Sequence, residues 1–137
     1  MDQQLKGMKG FLPTRGRDQY TSKIKPKSLG VINMDMQSGP GTHFVCFFNS
    51  PNDETVNYYD SYGVVPPAET VSFLKSSGKP IAYNPTQHQE IGATTCGYFC
   101  IYVLKELNKG RKFHDVLLDF SYDPEENERM IHKKFNL

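Results

Sequence analysis

The sequence predicts an α+β domain in which a central, mostly antiparallel sheet packs against helices. Two observations predict this class. Short runs of β-branched and aromatic residues, separated by turn signals, occupy much of the chain up to residue 85. The most apolar run, at 96–107, instead has the spacing of a helix. Because 137 residues are enough for one hydrophobic core, we expect a single domain over 1–137, with a basic and partly irregular segment at 1–27.

Four segments have the composition of strands, whereas the N-terminal segment does not. We expect strands at 28–36, 42–50, 56–63 and 79–85. The connection between the second and the third is short, which predicts a hairpin. Residues 1–28 are broken by Gly and Pro, and they predict one or two helical turns followed by loop.

Four further segments have helical signals. We expect helices at 68–78, 96–110, 113–120 and 123–135. The second of these is apolar nearly all round its first three turns, which is typical of a helix buried in the middle of a domain. The last has Asp123 as its predicted N-cap, acidic residues in its first turn and basic residues in its last.

Charge is unevenly distributed along the chain. The formal net charge is +1, but residues 1–27 carry +5 and the remainder −4. Such a segment is either a solvated basic terminus or an arm that binds a polyanion such as DNA, and both interpretations stay open. An odd count of three cysteines, with no signal-like leader and no apolar run of about 20 residues, predicts an intracellular protein that is neither secreted nor in a membrane.

The three cysteines have different surroundings. A metal site is disfavoured, because Cys96 and Cys100 lie four positions apart and only Cys46 could join them. Cys46 and Cys100 lie among aromatic and β-branched residues, which predicts core packing. Cys96 stands where a polar turn meets the helix, so free backbone N–H groups and the helix dipole favour its thiolate. Gly97 leaves room beside it for a substrate backbone, so Cys96 is the candidate nucleophile.

A cysteine nucleophile requires a base, and the base requires a group that orients it. His114 and His132 lie in predicted surface helices, and His88 lies in the turn before Cys96. His43 begins a strand directly after a glycine-rich turn, where its ring can stand at the sheet edge next to a groove. We therefore take His43 as the candidate base, although an exposed histidine at a strand end has the same pattern.

The remaining parts of an active site have candidates near these residues. Asp60 ends an otherwise aromatic strand, where a buried carboxylate needs a partner. In the predicted hairpin, His43 at the start of one strand and Asp60 at the end of the next lie side by side. Gln89, seven residues before Cys96, is a candidate donor to an oxyanion together with the Cys96 backbone N–H. Gln87 is the rival candidate.

Four motifs in this order resemble a known group of enzymes. They are GTHF at 41–44, YYDSYG at 58–63, Gln89, and CGYFCIYVL at 96–104. Their order and spacing resemble the adenovirus-type maturation cysteine proteases and their relatives in virophages and virus-like transposons, which belong to the superfamily of the SUMO-specific proteases. The resemblance covers roughly residues 30–108.

The resemblance implies a fold, a site and a function. The fold is that of a papain-like cysteine protease in permuted chain order, with the nucleophile at the N-terminus of a buried central helix. His43 is then the general base, Asp60 orients it, Cys96 attacks, and Gln89 completes the oxyanion hole. The implied function is that of a cysteine endopeptidase that cleaves viral capsid precursors during virion maturation. It would act as a monomer in the infected cell or virion, without a resident cofactor.

The chain also departs from the group's pattern. Phe44 follows the histidine, where many adenovirus-type members have Trp, so the indole donor is lost. No cysteine lies between Asp60 and Cys96, so a disulfide-linked activating peptide is not expected. Nucleic acid bound through the basic N-terminus, or a non-covalent peptide, stays open as an activator. The chain is short for the group, which predicts trimmed substrate-binding loops.

Other functions fit the same residues. Removal of a ubiquitin-like modifier of the SUMO type uses all four catalytic groups and is the main alternative. Acyl transfer and a non-catalytic binding module are further alternatives. A chymotrypsin-like viral cysteine protease also has the order His, Asp, Cys, but its nucleophile lies in a β-barrel loop, and the helical pattern after Cys96 argues against it.

Overall fold

One five-stranded sheet organises the computed structural model, which describes residues 1–20, 22–34 and 43–137. The strands follow one another across the sheet in chain order. Their bounds are β1 Phe11–Gly16, β2 Ser28–Asn33, β3 Phe44–Asn49, β4 Val56–Tyr59 and β5 Ile81–Tyr83. The predicted glycine-rich turn, together with Gly41 and Thr42 of the GTHF motif, lies outside the described residues.

The sheet is mixed. The three central strands, β2, β3 and β4, are antiparallel as predicted, and β3 and β4 form the expected hairpin. Both edge strands pair in parallel, β1 with β2 and β5 with β4, so the expectation of a mostly antiparallel sheet holds only for its centre. The reason is the length of the connections, because a chain that crosses over the sheet before pairing again runs parallel to its neighbour.

The first strand, β1, was not predicted. We expected helical turns and loop in 1–28, and the structure has a short helix, α1, at Asp2–Leu5, followed by β1 and a 3-10 helix at Arg17–Gln19. Pro13 stands within β1, and the pairing register shifts between Leu12 and Arg15 around it. An edge strand tolerates a proline, which cannot donate a ladder hydrogen bond. The same proline interrupts the strand pattern in the sequence, so the strand is not predicted.

All four predicted helices are present. They are α2 Ala68–Lys75, α3 Cys96–Asn108, α4 Phe113–Leu117 and α5 Pro124–Phe135. Asp123 caps α5 as predicted, since its carboxylate accepts a hydrogen bond of 3.0 Å from the Glu125 N–H. Within the described ranges, no helix has both the length and the apolar character needed to cross a membrane.

Both faces of the sheet are covered. One face of β3, with Cys46 and Phe48, packs in a core with α3, to which Cys100 and Leu104 contribute. The opposite face of the sheet packs in a second core with α2, around Phe47. Strands buried on both faces are apolar without alternation, which is the pattern of β3. Cys46 and Cys100 are at most 1% exposed, so their predicted place in the core is confirmed.

Candidate active site

His43 and Asp60 meet where β3 begins and β4 ends. His43 directly precedes β3, and its carbonyl accepts a hydrogen bond of 2.8 Å from the Met34 N–H. Asp60 directly follows β4. Because β3 and β4 are antiparallel neighbours, the two side chains lie together, with 2.8 Å between His43 Nε2 and Asp60 Oδ1. The predicted side-by-side placement of these residues is therefore observed.

Asp60 is held rigidly. Its backbone N–H donates to Asn84 Oδ1 at 3.0 Å, and its carbonyl accepts from Asn84 Nδ2 at 2.6 Å. The carboxylate oxygen that bonds His43 also accepts the Tyr62 N–H at 2.8 Å. Asp60 is 4% exposed. A carboxylate fixed and buried in this way can hold an imidazole in one tautomer and one orientation.

Cys96 is the first residue of α3 and lies next to His43. Burial tends to raise the pKa of the Cys96 thiol, but hydrogen bonding to His43 and to the backbone N–H groups of Phe44 and Gly97 lowers it below its usual value. Phe44 belongs to β3 and Gly97 to α3, so the backbone of both the strand and the helix acts to lower the pKa of this thiol. The predicted environment at the helix N-terminus is thus present around this thiol.

Asp60 and Cys96 both affect the pKa of the His43 ring. Burial tends to lower the pKa of His43, but the hydrogen bond to Asp60 and the interaction with Cys96 outweigh it and raise the pKa to about 9. Since Nε2 bonds Asp60, the buried Nδ1 is the nitrogen left for the thiol, and it has no hydrogen-bond partner among the described residues. A lowered thiol pKa beside a raised imidazole pKa favours a thiolate–imidazolium pair, which is the reactive form of a cysteine nucleophile.

The fold around this site is shared with solved protease structures. The chain superimposes on the ASFV pS273R protease with a TM-score of 0.59 at 18% sequence identity, covering 78% of this chain and 43% of that one. It superimposes on the SUMO protease Ulp1, in a form whose catalytic cysteine is oxidised to a sulfinic acid, with a TM-score of 0.55 at 12% identity, covering 96% and 69%. The chain has the α+β fold of these proteases.

These similarities are confined to structure. No protein-family model matches the sequence, and no curated protein matches it. The chain spans less than half the length of the ASFV protease. The predicted fold class and the predicted relation to SUMO-type proteases are supported at the level of fold, while the adenovirus and virophage features of the resemblance stay predictions.

Gln89 lies close to the site, but both ends of its carboxamide form hydrogen bonds with neighbouring residues. It is fully buried. Its Oε1 accepts from Ser61 Oγ at 2.5 Å, and its Nε2 donates to the Ala93 carbonyl at 2.9 Å. A carboxamide nitrogen has two hydrogens, so one Nε2 hydrogen remains beyond the bond to Ala93. The rival, Gln87, donates from its own Nε2 to the Gln89 carbonyl at 2.9 Å, and so supports the loop that carries Gln89.

His88, His114 and His132 stand apart from His43. His114 and His132 are exposed, as predicted. His88 is buried, its ring stacks on Phe120, and the Tyr59 hydroxyl lies 3.0 Å from its Nδ1. Burial lowers the pKa of His88 to about 4. His88 is therefore a neutral packing residue at neutral pH.

Sequence reasoning missed two residues that contact the site. The Tyr62 ring stacks on His43 with 4.7 Å between ring centroids, and it covers one face of the imidazole. Tyr62 stands two positions after Asp60 within the YYDSYG motif, and that spacing was the available signal. Met1 lies against Gly97, since its sulfur would be 3.4 Å from a side-chain carbon added there. No sequence pattern indicates that contact.

A recess lies beside Cys96. It has a volume of about 220 Å³ and is lined by Met1, Gln4, Phe44, Thr94, Gly97, Tyr98 and Ile101. Met1 lies against Gly97 on this side, and the passage of substrate beside Gly97 stays a prediction. No group of three or more His, Cys, Asp or Glu side chains that could hold a metal ion occurs in the described part of the chain.

Proposed function

We propose that this protein is a cysteine endopeptidase in which Cys96 is the nucleophile, His43 the acid–base and Asp60 the group that orients His43. One observation carries the proposal. The Asp60–His43 hydrogen bond of 2.8 Å holds an imidazole beside a thiol at the first residue of a buried helix. The fold that this chain shares with the ASFV pS273R protease and the SUMO protease Ulp1 supports it.

The reaction follows from the positions of these groups. The Cys96 thiolate attacks the carbonyl carbon of the scissile bond, and the His43 imidazolium then gives its proton to the leaving amine. This leaves a thioester and a neutral imidazole. His43 takes a proton from a water molecule, which attacks the thioester and releases the acid product, so that the Cys96 thiolate and the His43 imidazolium are regenerated.

The developing oxyanion requires donors close to Cys96. The Cys96 backbone N–H stands at the start of α3, ahead of the Tyr98 N–H, which bonds the Thr95 carbonyl at 2.9 Å. The remaining Nε2 hydrogen of Gln89 is our second candidate. We expect Gln89→Ala to lower kcat by about 10²–10³-fold if it donates to the oxyanion. Gln87→Ala is the matched comparison and should have a smaller effect.

We further propose that the substrate is a viral precursor protein, such as a capsid precursor. The likeness to the ASFV protease favours this substrate class, and the likeness to Ulp1 favours the alternative, removal of a SUMO-type modifier. An experiment separates them. Wild-type protein and Cys96→Ala are incubated with candidate capsid precursors and with modifier fusions that end in Gly-Gly, and the new N-termini are sequenced.

Each outcome of that experiment has a meaning. Internal cuts in a precursor, absent with Cys96→Ala, support the first substrate class, and cleavage only after the Gly-Gly tail supports the second. Transfer of an acyl group to an amine without hydrolysis would indicate an acyltransferase. A wild-type protein that cuts nothing and whose Cys96 reacts no faster than an ordinary thiol would contradict the proposal and favour a binding module.

A further inference from the structure

The residue before Cys96 is bound to the C-terminal helix. Thr95 occupies the N-cap position of α3, but its side chain makes no capping hydrogen bond to that helix. Its hydroxyl instead donates to the carboxylate of Glu128 in α5, with 2.6 Å to Oε1 and 2.9 Å to Oε2. Both residues are buried, at 8% and 9% exposure. The Thr95 hydroxyl therefore bonds a residue 33 positions away along the chain. It does so in place of the capping hydrogen bond that would stabilise the start of α3.

The neighbouring residue of α5 binds the loop between β5 and α3 nearer its middle. Asn127 donates from Nδ2 to the His88 carbonyl at 3.1 Å. It is 2% exposed, and its Oδ1 accepts the Ser121 N–H at 2.8 Å. Successive residues of α5 thus hold the middle of the loop between β5 and α3 and the last residue before Cys96. Gln89 lies within that loop.

We propose that Glu128 is a positioning residue for the reaction, which acts through Thr95 to fix the start of α3 and so the direction of the Cys96 sulfur toward His43. The inference rests on the proposed function, because it names a further residue on which that function depends. Its physical basis is that a nucleophile displaced by about 1 Å can lose on the order of 10²-fold in rate. A charge-assisted hydrogen bond between two buried groups is well suited to prevent such displacement.

The other neighbour of Glu128 is too exposed to take over this role. His132 Nε2 lies 3.4 Å from Glu128 Oε2, and its side chain is 51% exposed, whereas that of Glu128 is 11% exposed. An ion pair with an exposed partner contributes little. The Thr95 hydroxyl is therefore the hydrogen-bond contact through which Glu128 reaches the start of α3, and the charge of Glu128 also acts on Tyr62.

Three variants and one control test the inference. Thr95→Val removes the hydroxyl, Thr95→Ser keeps it, and the double variant Thr95→Val/Glu128→Leu removes both polar partners together. Removing both avoids leaving a buried carboxylate unpaired, so the double variant should keep a melting temperature close to that of the wild type. Glu126→Gln, an exposed change on the same helix, is the control. The readouts are the rate of Cys96 alkylation by iodoacetamide across pH, the kcat and KM values, and the melting temperature.

We expect Thr95→Val and the double variant to alkylate about 10-fold more slowly at pH 7 and to lose kcat with little change in KM. Thr95→Ser should restore both rates, and Glu126→Gln should match the wild type. If the double variant folds stably and its alkylation profile matches the wild type, Glu128 has only a structural role and the inference is wrong. Alkylation of Cys96 needs no peptide cleavage. The test of Glu128 as a positioning residue can therefore fail while the proposed protease activity holds, and the reverse is also possible.

Discussion

Cys96 and Cys100 lie one helical turn apart in α3 and have opposite chemical properties. Burial, together with the neighbouring Cys46, raises the pKa of Cys100 well above the usual thiol range. Burial tends to raise the pKa of Cys96, but the neighbouring His43 and two backbone N–H groups lower it below the usual thiol value. The same helix therefore contains one thiol suited to nucleophilic attack and one suited to packing.

Substitution should separate these two roles. We expect Cys96→Ala to abolish turnover while leaving the free energy of unfolding nearly unchanged. Cys100→Ala should keep kcat within a few-fold and lower the free energy of unfolding by about 1 kcal/mol, because it leaves a small cavity in the core. Urea denaturation and a cleavage assay measure the two effects. A Cys100→Ala protein that folds normally but is inactive would contradict this division.

The activity should have a bell-shaped dependence on pH. The thiolate forms as the pH rises through the lowered pKa of Cys96, so the ascending limb should lie below the usual thiol value of 9.0. The imidazolium is lost as the pH passes the raised pKa of His43, so the descending limb should lie near pH 9. The two limbs report the pair as a coupled unit. A rate that still rises steeply above pH 9 would contradict the ion pair.

Asp60→Asn should change the descending limb in a defined direction. The asparagine keeps the size of the side chain but removes the charge that raises the pKa of His43. The descending limb should therefore move to lower pH, and kcat should fall by about 10²–10⁴-fold, because the imidazole also loses its orienting carboxylate. An unchanged limb would mean that Asp60 does not act on His43. Asp115→Asn, an exposed change in α4, is the control.

The turn after β4 sets the position of Asp60. The Gly63 N–H donates to the Asp60 carbonyl at 2.8 Å, and Gly63 has a φ of 72°. A side-chain carbon there would lie 2.7 Å from the Thr86 backbone. We expect Gly63→Ala to lower the free energy of unfolding by roughly 1–3 kcal/mol and to lower kcat as Asp60 shifts. Gly78→Ala is the comparison, because Gly78 also has a positive φ but has open space around it. This variant therefore introduces backbone strain without the steric contact.

The loop between β5 and α3 should make the protein sensitive to acid. Burial lowers the pKa of His88 to about 4, from 6.5 in the unfolded chain. Between these values the unfolded chain binds the extra proton, so the contribution of His88 is complete above pH 6.5 and is lost as the pH falls toward 4. Urea denaturation at pH 7 and 5 should show this loss, and His88→Gln should reduce it. A free energy of unfolding that does not change over this interval would contradict the assignment.

The elements that could be predicted from sequence are those with a local pattern. The hairpin of β3 and β4 followed from two apolar runs with a short connection, and it placed His43 beside Asp60 in the structure. Helix α3 followed from its apolar period. Strand β1 could not be predicted, because Pro13 interrupts its pattern and its pairing is shifted. The parallel edges depend on how the connections cross the sheet, which no local pattern records.

The residues that sequence analysis missed are held by contacts between distant parts of the chain. Tyr62 reaches His43 only because the hairpin forms, and Glu128 reaches Thr95 only because α5 packs beneath the loop before α3. Tyr62 at least stands two positions after Asp60, whereas no sequence spacing indicates the contact of Glu128 with Thr95. Gln89 was a reasonable candidate from its distance to Cys96, but its bonds to Ser61 and Ala93 depend on the folded loop.

The basic segment at 1–27 also carries exposed charge that the proposed reaction does not use. Its lysines, Lys6, Lys9, Lys23, Lys25 and Lys27, are exposed. We propose that they bind DNA weakly. Lysines that bind DNA phosphates release the counterions condensed on the DNA, and added salt opposes that release. The affinity for duplex DNA should therefore drop between 50 and 200 mM salt. Fluorescence anisotropy measures it, and cleavage with and without DNA at low salt tests activation. No binding at 50 mM salt would contradict the proposal.

The reactivity of Cys96 distinguishes a thiol activated by His43 and Asp60 from an ordinary buried thiol. The protein is treated with limiting iodoacetamide from pH 5 to pH 10, and mass spectrometry measures alkylation at each of the three cysteines for the wild type, His43→Ala and Asp60→Asn. We expect Cys96 to react first, with an apparent pKa below 9.0 that rises toward this value in His43→Ala, while Cys46 and Cys100 stay unmodified. Alkylation of Cys100 before Cys96, or a Cys96 profile that does not change when His43 is removed, would contradict the Cys96–His43–Asp60 site.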